Sequence, residues 1–185
     1  MESYIPLFIL IFFALIIVFT SFVTIQQGTI GVITVFGKYR RILTPGLNFK
    51  IPLVEQIYAK ISIQNRSVEL EFQAVTVDQA NVYFKAMLLY SVLDQQEETI
   101  KNVAFKFVDD RNLMQALIRT VEGSIRAFVA TKKQADVLIL RRDIVEHVKE
   151  QLDTILETWG YHLQDLQLND ITFDEVIMKL SLIHI

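Results

Sequence analysis

Between Glu2 and Lys38 the chain carries no charged side chain. The first part of that stretch, Ile5–Val23, holds 15 Ile, Leu, Phe and Val residues, interrupted only by Pro6, Ala14, Thr20 and Ser21. About 20 apolar helical residues cross a hydrocarbon core of ~30 Å, and the run is close to that length. At roughly −0.3 to −0.6 kcal/mol per apolar side chain near the bilayer centre, insertion is favoured by several kcal/mol. A cleaved signal peptide fits poorly, because there is no basic n-region, the run is too long and no small-residue cleavage site follows. A re-entrant hairpin wants a mid-run Pro or Gly, whereas Pro6 stands at the start. The run therefore predicts an uncleaved, single-pass N-terminal anchor over residues 1–25. Lys38, Arg40 and Arg41 downstream, against a lone Glu2 upstream, place the main domain on the cytoplasmic side.

The remaining stretch, 26–179, has the length of one compact domain with a sizeable core. Cysteine is absent, which excludes disulfides, thiolate catalysis and thiolate metal sites. The net charge of −3 argues for no particular partner, but its distribution is uneven. Lys38, Arg40, Arg41, Lys50, Lys60 and Arg66 face only Glu55, a local excess of five positive charges, while 12 basic groups beyond Arg66 face 19 acidic ones. Basic groups just outside an anchor suit an anionic leaflet, so Lys38, Arg40, Arg41 and Lys50 are the candidate membrane-surface contacts.

After the anchor the pattern alternates. Thr29–Phe36 is β-branched and bounded by Gly28 and Gly37, and Tyr39–Leu43 follows a turn. Thr44-Pro45-Gly46 signals another turn before Leu47, Phe49 and Ile51 alternate with polar residues. Ile57–Ile63, Ser67–Phe72 and Val82–Val92 complete a strand-rich half; in the last, six alternate positions from Val82 to Val92 are apolar or Tyr. From Asp94 the period becomes helical. Glu97–Phe105 is a short helix. Asp109–Ala130 carries Leu113, Leu117, Val121, Ile125 and Val129 at i, i+4 spacing, with Asp109 or Asp110 as N-cap. One long amphipathic helix is expected from Gln134 to Thr158, ended by Gly160. Tyr161–Ile171 reverts to strand, and Thr172 with Glu175 forms a capping-box pattern for a last helix. The expected class is α+β.

These pieces carry a resemblance. Gln27-Gly28-x-x-Gly31-Val32, Phe36-Gly37-Lys38-Tyr39, Pro45-Gly46-Leu47-Asn48-Phe49 and Ile51-Pro52 come first. Asn65-Arg66-Ser67, Thr76-Val77-Asp78-x-Ala80-Asn81-Val82 and Arg119-Thr120-Val121 follow. Arg141-Arg142-Asp143-Ile144, Trp159-Gly160 and Asn169-Asp170-Ile171 complete the series. In this order and spacing they resemble the SPFH/Band 7 family (stomatins, prohibitins, flotillins), and most closely its bacterial stomatin-like branch. The resemblance implies an antiparallel β half plus amphipathic helices, and large homo-oligomers that organise membrane microdomains. It also implies partners such as AAA-type or serine membrane proteases. The family's long coiled-coil helix has no counterpart here, since no heptads follow Lys179. The chain is thus expected to be an N-terminal fragment, and Ser181–Ile185 resembles a gene-model artefact rather than part of the fold.

Reactive chemistry finds little support. His147, His162 and His184 are scattered and show no metal-ligand spacing. Glu69 and Glu71 share one strand face opposite an apolar one, which reads as a solvated face. Ser124 has no base arranged beside it in sequence. Glycines lack phosphate-loop spacing, and no basic stripe with interleaved aromatics favours nucleic acid. No catalytic, cofactor or metal residue is assigned. Arg141 and Arg142, on a predicted helix with Asp136, Glu146 and Glu150 near, are candidate subunit contacts. The expected function is a membrane-anchored oligomeric scaffold binding lipids and membrane proteins. The alternative is a membrane-associated hydrolase or protease, or a dedicated subunit of one.

Overall fold

The computed structural model describes residues 5–173. Helix α1 (Ile5–Thr20) is the first described element, and after Ser21 the chain already forms a strand, β1 (Phe22–Ile25). The predicted anchor run through Val23 is therefore cut short. The Thr20 and Ser21 hydroxyls donate to the Ile16 and Ile17 carbonyls in the last turn. Beyond them Phe22, Val23 and Ile25 favour the extended backbone, and β1 pairs antiparallel with β4 (Gly46–Phe49) from Phe22↔Phe49 to Ile25↔Gly46. At 1.5 Å per residue the 16-residue α1 is about 24 Å long. Among the described residues no helix is long and apolar enough to cross a membrane. The β1 pairing also moves the start of the folded domain ahead of the expected boundary at residue 26.

Where the sequence suggested one compact domain, the chain divides into two compact units, residues 1–64 with 95–104, and residues 65–94 with 105–185. In the first, β2 (Thr29–Val35) lies between β3 (Lys38–Leu43) and β5 (Glu55–Ser62), both antiparallel to it. A small core of Ile25, Ile33 and Leu43 sits between this sheet and β1. It dictates Gly31, where a Cβ would come within 3.0 Å of Ile25 Cδ1 and 3.3 Å of Leu43 Cβ. Helix α2 (Glu97–Phe105) is tied to β3 by the Tyr39 hydroxyl donating to Glu97 Oε1 at 2.7 Å, and Lys101 lies over the Tyr39 ring. Burial first, then the Glu97 carboxylate, raises the Tyr39 hydroxyl above its ordinary value.

Among the described residues the second unit is a sheet in the order β6 (Arg66–Val75), β7 (Asn81–Val92), β8 (Tyr161–Phe173), with three helices. Val82, Phe84, Ala86, Leu88, Tyr90 and Val92 are all buried, so the alternation read along β7 is a core face. Helix α3 (Asp110–Val129) packs on β6 and buries Leu113, Leu117, Val121, Ile125 and Val129. Asp109 is its N-cap, accepting from the Asn112 amide at 2.7 Å. The expected single helix 134–158 is two, α4 (Gln134–Ile139) and α5 (Arg141–Trp159), broken at Leu140. Buried Val137 and Ile144 are seven residues apart, two helical turns, so the apolar stripe passes unchanged through the break and hides it from the sequence. Gly160, left-handed at φ 87°, ends α5. Thr172 is a strand residue paired with Tyr83, not the cap of a helix; Glu175 and the tail 180–185 lie outside the described residues.

Several motif residues prove to be fold fasteners. The Thr76 hydroxyl donates to Asp78 and accepts from the Ala80 amide, closing the β6–β7 turn around Gln79 at φ 61°. Asp78 then accepts from the Gln134 amide at 3.1 Å, capping α4 from 56 residues away where Lys133 offers no side-chain cap. The Thr76 hydroxyl is the main reason the Asp78 carboxyl lies below its ordinary value. Arg66 pairs with Asp110 at 3.0 Å, and Arg126 Nε reaches the Gln73 carbonyl at 2.8 Å. Beside them the Tyr90 and Tyr161 rings meet edge to face at 5.6 Å, and burial pushes the Tyr161 hydroxyl up to about 12.

Candidate functional site

Three chain segments meet at one end of the first unit. The first is the foot of α1, where Ser21 leads into Phe22; the Lys50 amide donates to the Ser21 carbonyl at 2.7 Å. Phe22 faces Phe49 across the β1–β4 ladder, ring to ring edge-on at 6.0 Å, and both remain exposed. The second is the two-residue hairpin Phe36–Gly37 between β2 and β3. The third is the β4–β5 loop, which closes with the Glu55 amide donating to the Ile51 carbonyl at 2.9 Å. Val35 pairs with both Lys38 and Glu55, so the hairpin and this loop share one end of the sheet.

The loop tips are unusual in what they display. Phe36 is 87% exposed at φ 49°, and Leu53 is 94% exposed at φ 71°. Positive φ at both residues of a two-residue hairpin is what a type I′ turn requires, and Asn-Gly is the pair that supplies it without strain. A bulky apolar residue there is a conformational outlier costing on the order of 1–3 kcal/mol. Ile51 is also exposed on this end. Every large side chain of α1 from Phe8 to Phe19 stands exposed as well, so that helix is apolar on all sides and uncovered among the described residues.

Cations flank these tips. Lys38 and Arg40 are exposed, and neither makes an ion pair among the described residues. They line an open groove of about 530 Å³ together with Phe36, Ile51, Val54 and Glu55. Arg41, also a candidate for the membrane surface, is 41% exposed along its side chain and at the same time engaged within the fold. It holds Glu55 through Nε at 3.2 Å and Nη2 at 3.0 Å, and Nη2 also donates to the Phe49 carbonyl at 2.6 Å. Glu55 is 5% exposed and also accepts from the Ile51 amide at 2.9 Å. The Arg41 guanidinium holds its carboxyl below the ordinary value, outweighing the upward push of burial. Glu55 is the one acidic group in the basic segment 38–66 and so captures one of its cations. Lys50 is half-buried beside the α1 foot.

The other named positions lie in the second unit. Arg141 donates to the Asn169 carbonyl at 3.3 Å, and Arg142 approaches Glu146 at 3.9 Å, one turn on. Both side chains are exposed. Glu69 and Glu71 are exposed, and Glu71 pairs with Lys85 across the ladder at 3.0 Å. Ser124 is half-buried on α3, and among the described residues no hydrogen bond joins it to a histidine, lysine or carboxylate. His147 packs on Phe128, and Trp159 meets Phe107 edge-on. His162 is less isolated than its sequence position suggests. Asp153, Glu157 and His162 bring ligand-type atoms within 4.8 Å of one another, with His162 Nδ1 at 3.1 Å from Asp153. The signal was an Asp-x₃-Glu pair on one helix face, returned to by the strand after Gly160.

The architecture, an antiparallel β half joined to a sheet with amphipathic helices, defines an SPFH-type domain. The sequence signature of the "SPFH domain / Band 7 family" matches residues 23–180, and the chain belongs to that family. It is 25% identical to an uncharacterized protein of the archaeon Methanocaldococcus jannaschii over 85% of this chain and 75% of that one. It is similar to hypersensitive-induced response protein 4 of Arabidopsis thaliana (22% identical; 83% of this chain, 51% of that protein). A stomatin-like protein of Caenorhabditis elegans matches at 24% (78% of this chain, 44% of that protein). The chain thus spans about half the length of the last two relatives.

Proposed function

We propose that this chain is the membrane-proximal part of an oligomeric, membrane-anchored scaffold, with α1 inserted and the loop-tip end of the first unit lying on the bilayer. One observation carries the reading: an uncovered, wholly apolar helix and strained, exposed apolar tips at its foot share one end of a folded unit with unpaired cations. The 16 described helical residues span about 24 Å of a ~30 Å core, and bilayers absorb differences of that size through local thinning, at fractions of a kcal/mol per Å. With β1 starting two residues after α1 ends, there is no linker to lift the unit away from the surface. The basic groups then put the domain on the cytoplasmic side of a single pass.

Family membership supports self-association and the holding of membrane partners, AAA-type or serine proteases among them. Organisation of microdomains would follow from avidity, many weak lateral and lipid contacts adding through one assembly. The test is the full chain expressed in membranes. Resistance to carbonate extraction and a cross-linking ladder beyond the dimer are expected. Release by carbonate overturns the anchor, and a monomer alone after cross-linking overturns the scaffold.

A further inference from the structure

We propose that the groove between the β2–β3 hairpin and the β4–β5 loop seats the headgroup of one anionic phospholipid, an inference that rests on the membrane reading above. Its lining is amphipathic in a way that suits such a lipid. Lys38 and Arg40 supply two cations with no ion pair of their own among the described residues. The one carboxylate in the lining, Glu55, is bonded to Arg41 and the Ile51 amide and feels Arg40 only at longer range, so against Lys38, Arg40 and Arg41 the groove keeps a positive surplus. Phe36, Ile51 and Val54 give the same groove an apolar wall.

A small soluble anion would use the cations and leave that wall wet. A phospholipid uses both, its phosphate between Lys38 and Arg40 and its glycerol and upper acyl carbons against Phe36 and Val54. The strained exposure of Phe36 at the groove's rim fits this, because the left-handed backbone holds the ring outward, where acyl chains begin. The site is thus specific in place, unlike the diffuse attraction of any basic surface for an anionic leaflet. It makes Lys38 and Arg40 unequal to Lys60 or Lys133, which are exposed but lie outside the groove.

The experiment uses the full chain reconstituted in phosphatidylcholine vesicles carrying a trace of spin-labelled phosphatidylglycerol or phosphatidylcholine. The motionally restricted fraction of each label reads lipid preference, and carbonate extraction of the same vesicles reads anchoring. A preference for phosphatidylglycerol of roughly fivefold or more is expected, the ordinary weight of one to two basic groups near anionic lipid. It should vanish in the Lys38→Ala/Arg40→Ala variant and survive in the charge-matched Lys60→Ala/Lys133→Ala variant. Equal loss in both variants, or no preference in the wild type, overturns the groove even if the protein stays anchored. Preference without carbonate resistance would uphold the groove and sink the anchor instead.

Discussion

The two units solve the burial of apolar residues in opposite ways. In the second, six alternate positions of β7 and five of α3 disappear into one core, and the exposed strand face is polar, as at Glu69 and Glu71. In the first, the core around Ile25, Ile33 and Leu43 is small, while Phe22, Phe36, Phe49, Ile51 and Leu53 remain outside it at one end. That end is held together by a partly buried ion pair rather than by packing, Arg41 binding Glu55 and the Phe49 carbonyl. Apolar exposure gathered at one end of a unit marks a surface for a partner, and under the proposed function that partner is the bilayer.

The largest expected effect falls on the self-contained core. Leu117→Ala, at a position 1% exposed, should destabilise the second unit by about 3 kcal/mol. Hydrogen exchange of the full chain in micelles would show it on the α3 and β7 amides. Equal loss of protection in β2 would break the comparison, since the units would then open together. Next comes the clasp: Arg41→Ala leaves Glu55 buried without its cation and should cost the first unit about 2 kcal/mol, read on the β2 and β5 amides.

The same pair makes the first unit acid-sensitive. Because the folded Glu55 carboxyl ionises below its ordinary value of 4.5, its contribution is complete above that pH and fades as the pH falls below it. Glu55→Gln should lower protection at neutral pH and flatten its decline in acid; an unchanged acid profile would place the sensitivity elsewhere. Loss of the α3 cap in Asp109→Ala should cost about 1 kcal/mol, confined to the first turn of that helix. Smallest in stability is Phe36→Asn. It should leave the first unit as stable or slightly more so, since Asn accepts the left-handed turn, yet weaken vesicle association of the full chain. A clear loss of stability would mean that Phe36 packs, and the contrast between the units would narrow.

Much of this fold is legible along the chain, because it rests on local periodicity. The alternation of Val82–Val92, the i, i+4 series from Leu113 to Val129, the Asp109 cap and the Gly160 stop each announce themselves within a few residues. The break at Leu140 does not, since Val137 and Ile144 stay in phase across it. Nor does β1, whose partner lies over twenty residues on and whose Phe22 and Val23 continue the composition of α1. The candidate site was half legible. The sequence shows the basic edge of Lys38, Arg40 and Arg41, but not that Arg41 pairs with Glu55, a choice made between strands.

What the sequence by itself determined is the class of the molecule: an uncharged apolar segment leading into an α+β domain, with the ordered motifs of the SPFH/Band 7 family. Composition and period are properties of neighbouring residues, and they need no knowledge of what lies across the sheet. Only the tertiary structure decided which apolar groups are core and which are display, and which cations are free. Those outcomes depend on pairing register and loop closure. Val35 opposite both Lys38 and Glu55, and Phe22 opposite Phe49, bring distant segments to one end, where their exposed side chains become a single surface.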